Sequence, residues 1–196
     1  MFEIRSSDNM GDVPADAISF PVVMVREYPD PEDYLRSLQS SVREIFEHDG
    51  YAEPVLFNHT ERDGQKMLMI IPVRSVLMTD DPDEAAVRRG ILVRVTARSS
   101  PLAAFVSEGW IAEYSPETDL ETFTTPSQLP PDQRSKVVLL NLYVDRARIQ
   151  RVFHAVITRD EDGKPSLGEW KEFPETPQGR LFISPEERAA MFAPMN

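Results

Sequence analysis

One carboxylate interrupts an apolar row in a segment that has the pattern of a β-strand. In FVSEGWIAEY, Phe105 to Tyr114, alternate side chains lie on one face of a strand, so Glu108 shares a face with Val106 and Trp110. A carboxylate on a core-facing row loses hydration, which favours its protonated form unless a cation or several donors contact it. Glu108 is therefore a candidate acid or base. The structural alternatives, an ion pair with an arginine or a position where the strand leaves the sheet, are more frequent for such a residue.

Two further polar residues interrupt apolar strands. Asn141 lies in VVLLNLYV, and His154 lies in RVFHAVI. If Glu108 and His154 lie on adjacent antiparallel strands, they could form a base and the residue that orients it. We therefore group these three residues as one candidate catalytic constellation. The sequence does not establish that they meet, and the alternative for His154 is a histidine at the sheet surface.

The other reactive residue types form no recognisable catalytic or metal-binding motif. There is no cysteine, and His48, His59 and His154 occur in separate segments without the spacing of a zinc site. The triplet from Glu169 to Lys171 matches the ExK of metal-dependent nucleases, but one such triplet is expected by chance in so acidic a chain. The sequence therefore predicts no cofactor and no metal ligand set, and leaves open a metal held by carboxylates alone.

The chain is strongly acidic, which limits the classes of molecule that it is expected to bind. It has 33 acidic residues against 21 basic ones and a net charge of -12, and this field repels phosphate backbones and anionic membranes. No apolar run approaches the roughly 20 residues that cross a bilayer, and the amino terminus lacks the pattern of a signal peptide. We expect a cytoplasmic protein that binds neither nucleic acid nor membrane directly, and whose partner, if it has one, is another protein.

The first half of the chain contains one clear helix and one clear hairpin. Residues 1–16 are polar and predict a flexible leader. Residues 17–25 could form a strand, which Pro21 would confine to an edge or break. A helix is predicted from Pro31 to His48, because apolar residues in this segment recur at spacings of three and four. Asp30 is placed to cap the first turn of this helix. Apolar runs at residues 53–60 and 66–73, joined by ERDGQ, predict antiparallel strands.

The second half alternates strands with a long polar segment. Charge polarity predicts a second helix from Pro82 to about Arg98, although Gly90 and the β-branched residues within 91–98 mean that its last half could instead be a strand. Residues 115–135 predict a Pro-rich surface loop. Three further strands are predicted at residues 136–145, 149–160 and 167–173. A capping box at Ser184 and Glu187 predicts a short helix near the carboxyl end.

These elements indicate an α+β fold. We predict an antiparallel sheet of four to five strands packed by two helices, with a short C-terminal helix. Residues 17–196 are expected to form a single domain, since 196 residues suit one core of ordinary size.

The order of these elements resembles that of a group of small α+β proteins from bacteria and their phages. The matching residues are PVLF at Pro54 to Phe57, V-S-E-x-W at Val106 to Trp110, and GEW at Gly168 to Trp170. The resemblance extends over residues 31–172, and Gly109 stands where the group's pattern has alanine. No activity is established for the group, so the resemblance implies the fold and nothing about chemistry.

Three hypotheses for function follow from the sequence. The absence of a complete catalytic motif, together with the acidic charge and the Pro-rich loop, favours a non-enzymatic accessory or protein-binding domain. The first alternative is a small hydrolase or metal-dependent enzyme that uses Glu108 with His154. The second alternative is an acidic mimic of nucleic acid, which requires the carboxylates to be segregated on one face.

Overall fold

The computed structural model describes residues 20–74, 82–112 and 129–175 of the chain. The predicted leader at residues 1–16, residues 115–128 of the predicted loop and the predicted helix after Ser184 lie outside this part. The elements in chain order are β1 Val22–Met24, α1 Pro31–Asp49, β2 Val55–Arg62, β3 Gln65–Pro72, α2 Pro82–Ser99, β4 Leu102–Ile111, a 3-10 turn at Pro131–Gln133, β5 Ser135–Val144, β6 Ile149–Arg159, β7 Pro165–Leu167 and β8 Lys171–Glu172.

Helix α1 begins and ends where the sequence predicts. The Asp30 side chain accepts hydrogen bonds from the backbone N–H of Glu32 at 2.9 Å and of Asp33 at 3.2 Å, which satisfies two amides of the first turn. At the other end Gly50 has φ 79°, and its N–H donates to the carbonyl of Phe46 at 2.7 Å. The predicted helix is confirmed at both ends to within a residue.

The predicted hairpin is confirmed, with a tighter turn than the polar linker suggests. The strands β2 and β3 continue into the polar segment, so that Arg62 pairs with Gln65 and only Asp63 and Gly64 lie between them. Both turn residues have positive φ, 52° and 74°, as a two-residue type I′ turn requires. A side chain other than Asn, Asp or Gly would be strained at either turn position.

Helix α2 resolves the ambiguity over residues 91–98 in favour of helix. Val93 and Ala97 are fully buried and are four positions apart, so they lie on one side of the helix and pack against the sheet. Burial of this face outweighs the low helix propensity of the β-branched residues. In the described part of the chain, no helix has the length and apolar character that a membrane span needs.

The sheet has more strands than predicted. Eight strands form one antiparallel sheet in the order β1-β3-β2-β4-β5-β6-β7, with β8 also paired to β6. The prediction of four to five strands is wrong for two reasons. The hairpin and the C-terminal meander join into one sheet through β2 and β4, and the last predicted strand is divided, so that β7 pairs with Ile157 to Arg159 and β8 with Phe153 and His154.

Each face of the sheet is covered by a different helix. The face that packs against α1 carries Ala104, Leu140 and Phe153. The opposite face carries Leu56, Phe105 and Tyr143, which pack against α2. Because adjacent residues of a strand point to opposite faces, the register decides which polar side chains can meet.

Candidate functional site

Glu108 has two structural contacts on the α1 face of the sheet. Its Oε1 accepts a hydrogen bond from the backbone N–H of Ala52 at 2.9 Å, and its Oε2 lies 2.6 Å from Nζ of Lys136. Ala52 follows the end of α1, while Lys136 stands opposite Trp110 at the end of β4. Glu108 therefore fastens the connection between α1 and β2 to the sheet.

These contacts predict a graded loss of stability when Glu108 is changed. Glu108→Gln keeps an acceptor for Ala52 and loses only a partly exposed ion pair, so we expect the free energy of unfolding to fall by less than about 1 kcal/mol. Glu108→Ala leaves the Ala52 N–H without its acceptor, and we expect a loss of about 1–2 kcal/mol. Urea denaturation measures both. Equal losses in the two variants would contradict the role assigned to the hydrogen bond.

The structure does not bring Glu108 and His154 together. Glu108 pairs with Val138, whereas His154 pairs with Leu139, the next residue of the same strand. Because adjacent residues of β5 point to opposite faces, the two side chains are separated by the sheet. The ring of His154 instead lies 4.4 Å, between centroids, from that of Phe173. Glu108 and His154 therefore do not form the predicted pair of a base and the residue that orients it.

Asn141 lies on the same face as His154, in a diagonal of buried polar residues. It is fully buried and pairs with Phe105 on one side and Val152 on the other. Ser107 and Gln150, also buried, stand one diagonal step away on β4 and β6. We call Ser107, Asn141 and Gln150 the polar diagonal. The side-chain polar atoms of these three residues have no hydrogen-bond partner in the structure, although buried polar groups are normally satisfied.

A second buried polar site lies on the α1 face. His59 is 2% exposed, and the rings of His59 and Tyr34 meet edge to face at 4.8 Å between centroids. Both ring nitrogens of His59 and the hydroxyl of Tyr34 lack a hydrogen-bond partner in the structure. Burial lowers the pKa of His59 to about 4 and raises the pKa of Tyr34. Both side chains are therefore neutral at pH 7.

The surface of α2 carries an apolar stripe that sequence analysis missed. Val87, Ile91 and Val95 are 53%, 55% and 59% exposed, and the interval of four residues places them along one side of the helix. This side points away from the buried residues Val93 and Ala97. The helix is thus apolar on two sides, which is why its sequence lacks a clear amphipathic pattern.

Charged residues lie around this apolar stripe. Near its amino-terminal end, Nη2 of Arg88 lies 2.6 Å from Oε1 of Glu84. Arg98 follows the stripe in the last turn of α2 and is exposed to solvent. A row of exposed apolar side chains with a charged rim is a candidate protein contact surface.

Carboxylates on the described surface are interleaved with arginines. Arg151 binds both oxygens of Glu172 at 2.8 Å and also contacts Glu32, and the bond to Arg151 is the main reason that the pKa of Glu172 is lowered. Arg43 pairs with Glu47 at 3.7 Å. At these two places the carboxylates are neutralised by arginines instead of forming a purely acidic patch.

No cluster of histidine and carboxylate side chains suited to a metal ion occurs within residues 20–74, 82–112 and 129–175. Comparison with protein-family models, with curated proteins and with solved structures finds no match for this chain. Among the described residues, the apolar stripe of α2 is the exposed feature that offers a contact surface, whereas the polar diagonal and the His59–Tyr34 pair are buried.

Proposed function

We propose that this chain is a non-enzymatic accessory protein that acts in the cytoplasm by binding another protein. The apolar stripe of α2 is the observation that carries the proposal. Three branched aliphatic side chains, each more than half exposed, follow one another along a single helix side. Exposure of this apolar surface to water is unfavourable. Contact with a protein would bury it, with a gain in free energy of about 25 cal/mol for each Å² of apolar surface removed from water.

The contacts of the candidate catalytic residues support a binding role. Both oxygens of Glu108 are engaged, by Ala52 and by Lys136, and His154 lies across the sheet from Glu108. A general base needs access to a substrate proton and an orienting partner. Neither requirement is met by this pair.

The charges on α2 indicate the chemistry of the partner. Arginines 88, 89, 94 and 98 make this helix basic within a chain whose net charge is -12. A protein surface that fits it would combine an apolar ridge with a carboxylate placed to reach Arg98. Complementary charge at the rim would orient the partner along the helix, and the apolar contact would provide most of the affinity.

The test is retrieval of a stoichiometric protein partner by the tagged full-length chain and by two variants. Ile91→Glu places a charge in the stripe and should abolish retrieval. Ile149→Glu is the matched control, because Ile149 is 53% exposed on β6 and should leave retrieval unchanged. Failure of wild-type protein to retrieve any stoichiometric partner, itself included, would contradict the proposal, as would equal retrieval by Ile91→Glu.

A further inference from the structure

We infer that the partner on α2 is a second copy of this chain, docked with its own α2 antiparallel to the first. This inference rests on the proposed function and names the occupant of the same stripe. The contact would be made by the two stripes, related by a two-fold axis that passes beside Ile91.

The stripe is self-complementary about Ile91. Val87 and Val95 lie four residues before and after it, and Glu84 and Arg98 lie seven residues before and after it. A two-fold axis at Ile91 places each residue opposite the one that is equally far on the other side in the second copy. Val87 would therefore stand level with Val95 of the second copy, and Ile91 with its own equivalent.

The charges select the antiparallel direction. About the same axis, Glu84 stands level with Arg98 of the second copy, and the pair occurs twice, once at each end. A parallel arrangement would instead set Glu84 against Glu84 and Arg98 against Arg98, and such like-charge contacts oppose association. The chain would thus use opposite charges at the two ends of one helix to fix its orientation.

The remaining arginines on this side do not oppose the arrangement. Arg88 and Arg94 are level with each other across the axis, since each lies three residues from Ile91. At 100° per residue they project roughly 60° to either side of Ile91, on opposite edges of the contact. Arg88 binds one carboxylate oxygen of Glu84, Oε1, within its own helix at 2.6 Å, so Glu84 would be shared between Arg88 and Arg98 of the second copy.

The contact is small, so the dimer should depend on protein concentration. The distance along the helix from Glu84 to Arg98 is roughly 21 Å at 1.5 Å per residue. Six half-exposed aliphatic side chains would meet over this length. An interface below the standard size typically gives dissociation in the micromolar range.

Sedimentation equilibrium of the full-length chain tests the inference. Wild-type protein should pass from monomer to dimer across the micromolar range, and Ile91→Glu should remain monomeric, whereas the control Ile149→Glu should still dimerise. Glu84→Arg and Arg98→Glu should each weaken the dimer by about tenfold. The double variant with both changes should bind more tightly than either single variant, because the antiparallel pair is restored with reversed polarity, although Arg88 loses its partner within the helix. Circular dichroism checks that each variant is folded.

Each other result has a definite meaning. Wild-type protein that stays monomeric overturns the second copy as partner, and the proposed function then stands if Ile91→Glu loses a different protein in the retrieval experiment. If that experiment also shows no effect of Ile91→Glu, both conclusions fall. A dimer that survives Ile91→Glu, or a double variant as weak as the single ones, overturns the antiparallel α2 contact.

Discussion

Acidification from pH 7 to pH 4 is expected to cost wild-type protein about 3 kcal/mol more of unfolding free energy than it costs the variant His59→Phe. The pKa of His59 is lowered by burial from 6.5 to about 4 in the folded protein. Each unit of difference between folded and unfolded pKa corresponds to about 1.4 kcal/mol. The expected loss follows from a difference of about 2.5 units.

Acid destabilises the folded protein because the unfolded chain binds a proton on His59 more tightly than the folded protein does. The unfolded chain takes up a proton on His59 near pH 6.5, whereas the folded protein resists it until about pH 4. Stability from the neutral ring is therefore complete above pH 6.5 and is lost as the pH falls through this interval. Phenylalanine retains the edge-to-face contact with Tyr34 and does not titrate.

Urea denaturation at several pH values measures this difference. Carboxylates also titrate in the acid range, but they do so in both proteins, so subtraction removes most of their contribution. Parallel profiles for wild-type protein and His59→Phe would show that His59 is solvated or hydrogen-bonded in solution.

Asn141→Leu is expected to stabilise the protein by about 1–2 kcal/mol, which corresponds to a rise in melting temperature of a few degrees. The amide of Asn141 is fully buried and has no hydrogen-bond partner in the structure. It therefore loses its hydrogen bonds to water on folding and gains none in exchange. Leucine has the same branched shape and the same number of heavy atoms, and it would lie between Phe105 and Val152 on the flanking strands.

Calorimetry and urea denaturation of three variants test this expectation. Ser107→Ala removes another unsatisfied group of the polar diagonal and should stabilise by a smaller amount. Asn141→Ala is the control for volume, because it removes the amide but leaves a cavity, and it should be less stable than Asn141→Leu. If Asn141→Leu is destabilised by more than about 1 kcal/mol, the amide is hydrogen-bonded in solution, by water or by a bound molecule.

Local signals in the sequence were sufficient for the elements that depend on neighbouring residues. Asp30 and Gly50 fix the ends of α1 through caps within the same segment, and Asp63-Gly64 fixes the hairpin through its own backbone preference. These interactions act over a few residues, so the sequence carries them in readable form. The alternation that places Val106, Glu108 and Trp110 on one face is of the same kind.

Relations between strands could not be obtained in the same way. Alternation gives the phase of Glu108 within β4 and of His154 within β6, but only the register through β5 shows that they lie on opposite faces. The number of strands likewise depended on how two separate hairpin regions join. The exposed apolar side of α2 was not predicted, because Ile91 and Val95 are residue types that usually lie in a protein core. Only the position of the helix on the sheet shows which of its sides is covered.

The strands at the two ends of the sheet order are short, which limits how a second chain could add to the sheet. In the sheet order, β1 and β7 lie at the two ends, and each has three residues. Strands so short expose few unpaired backbone groups, so they are poor templates for another chain to extend the sheet. The fold thereby disfavours open-ended, fibril-like growth.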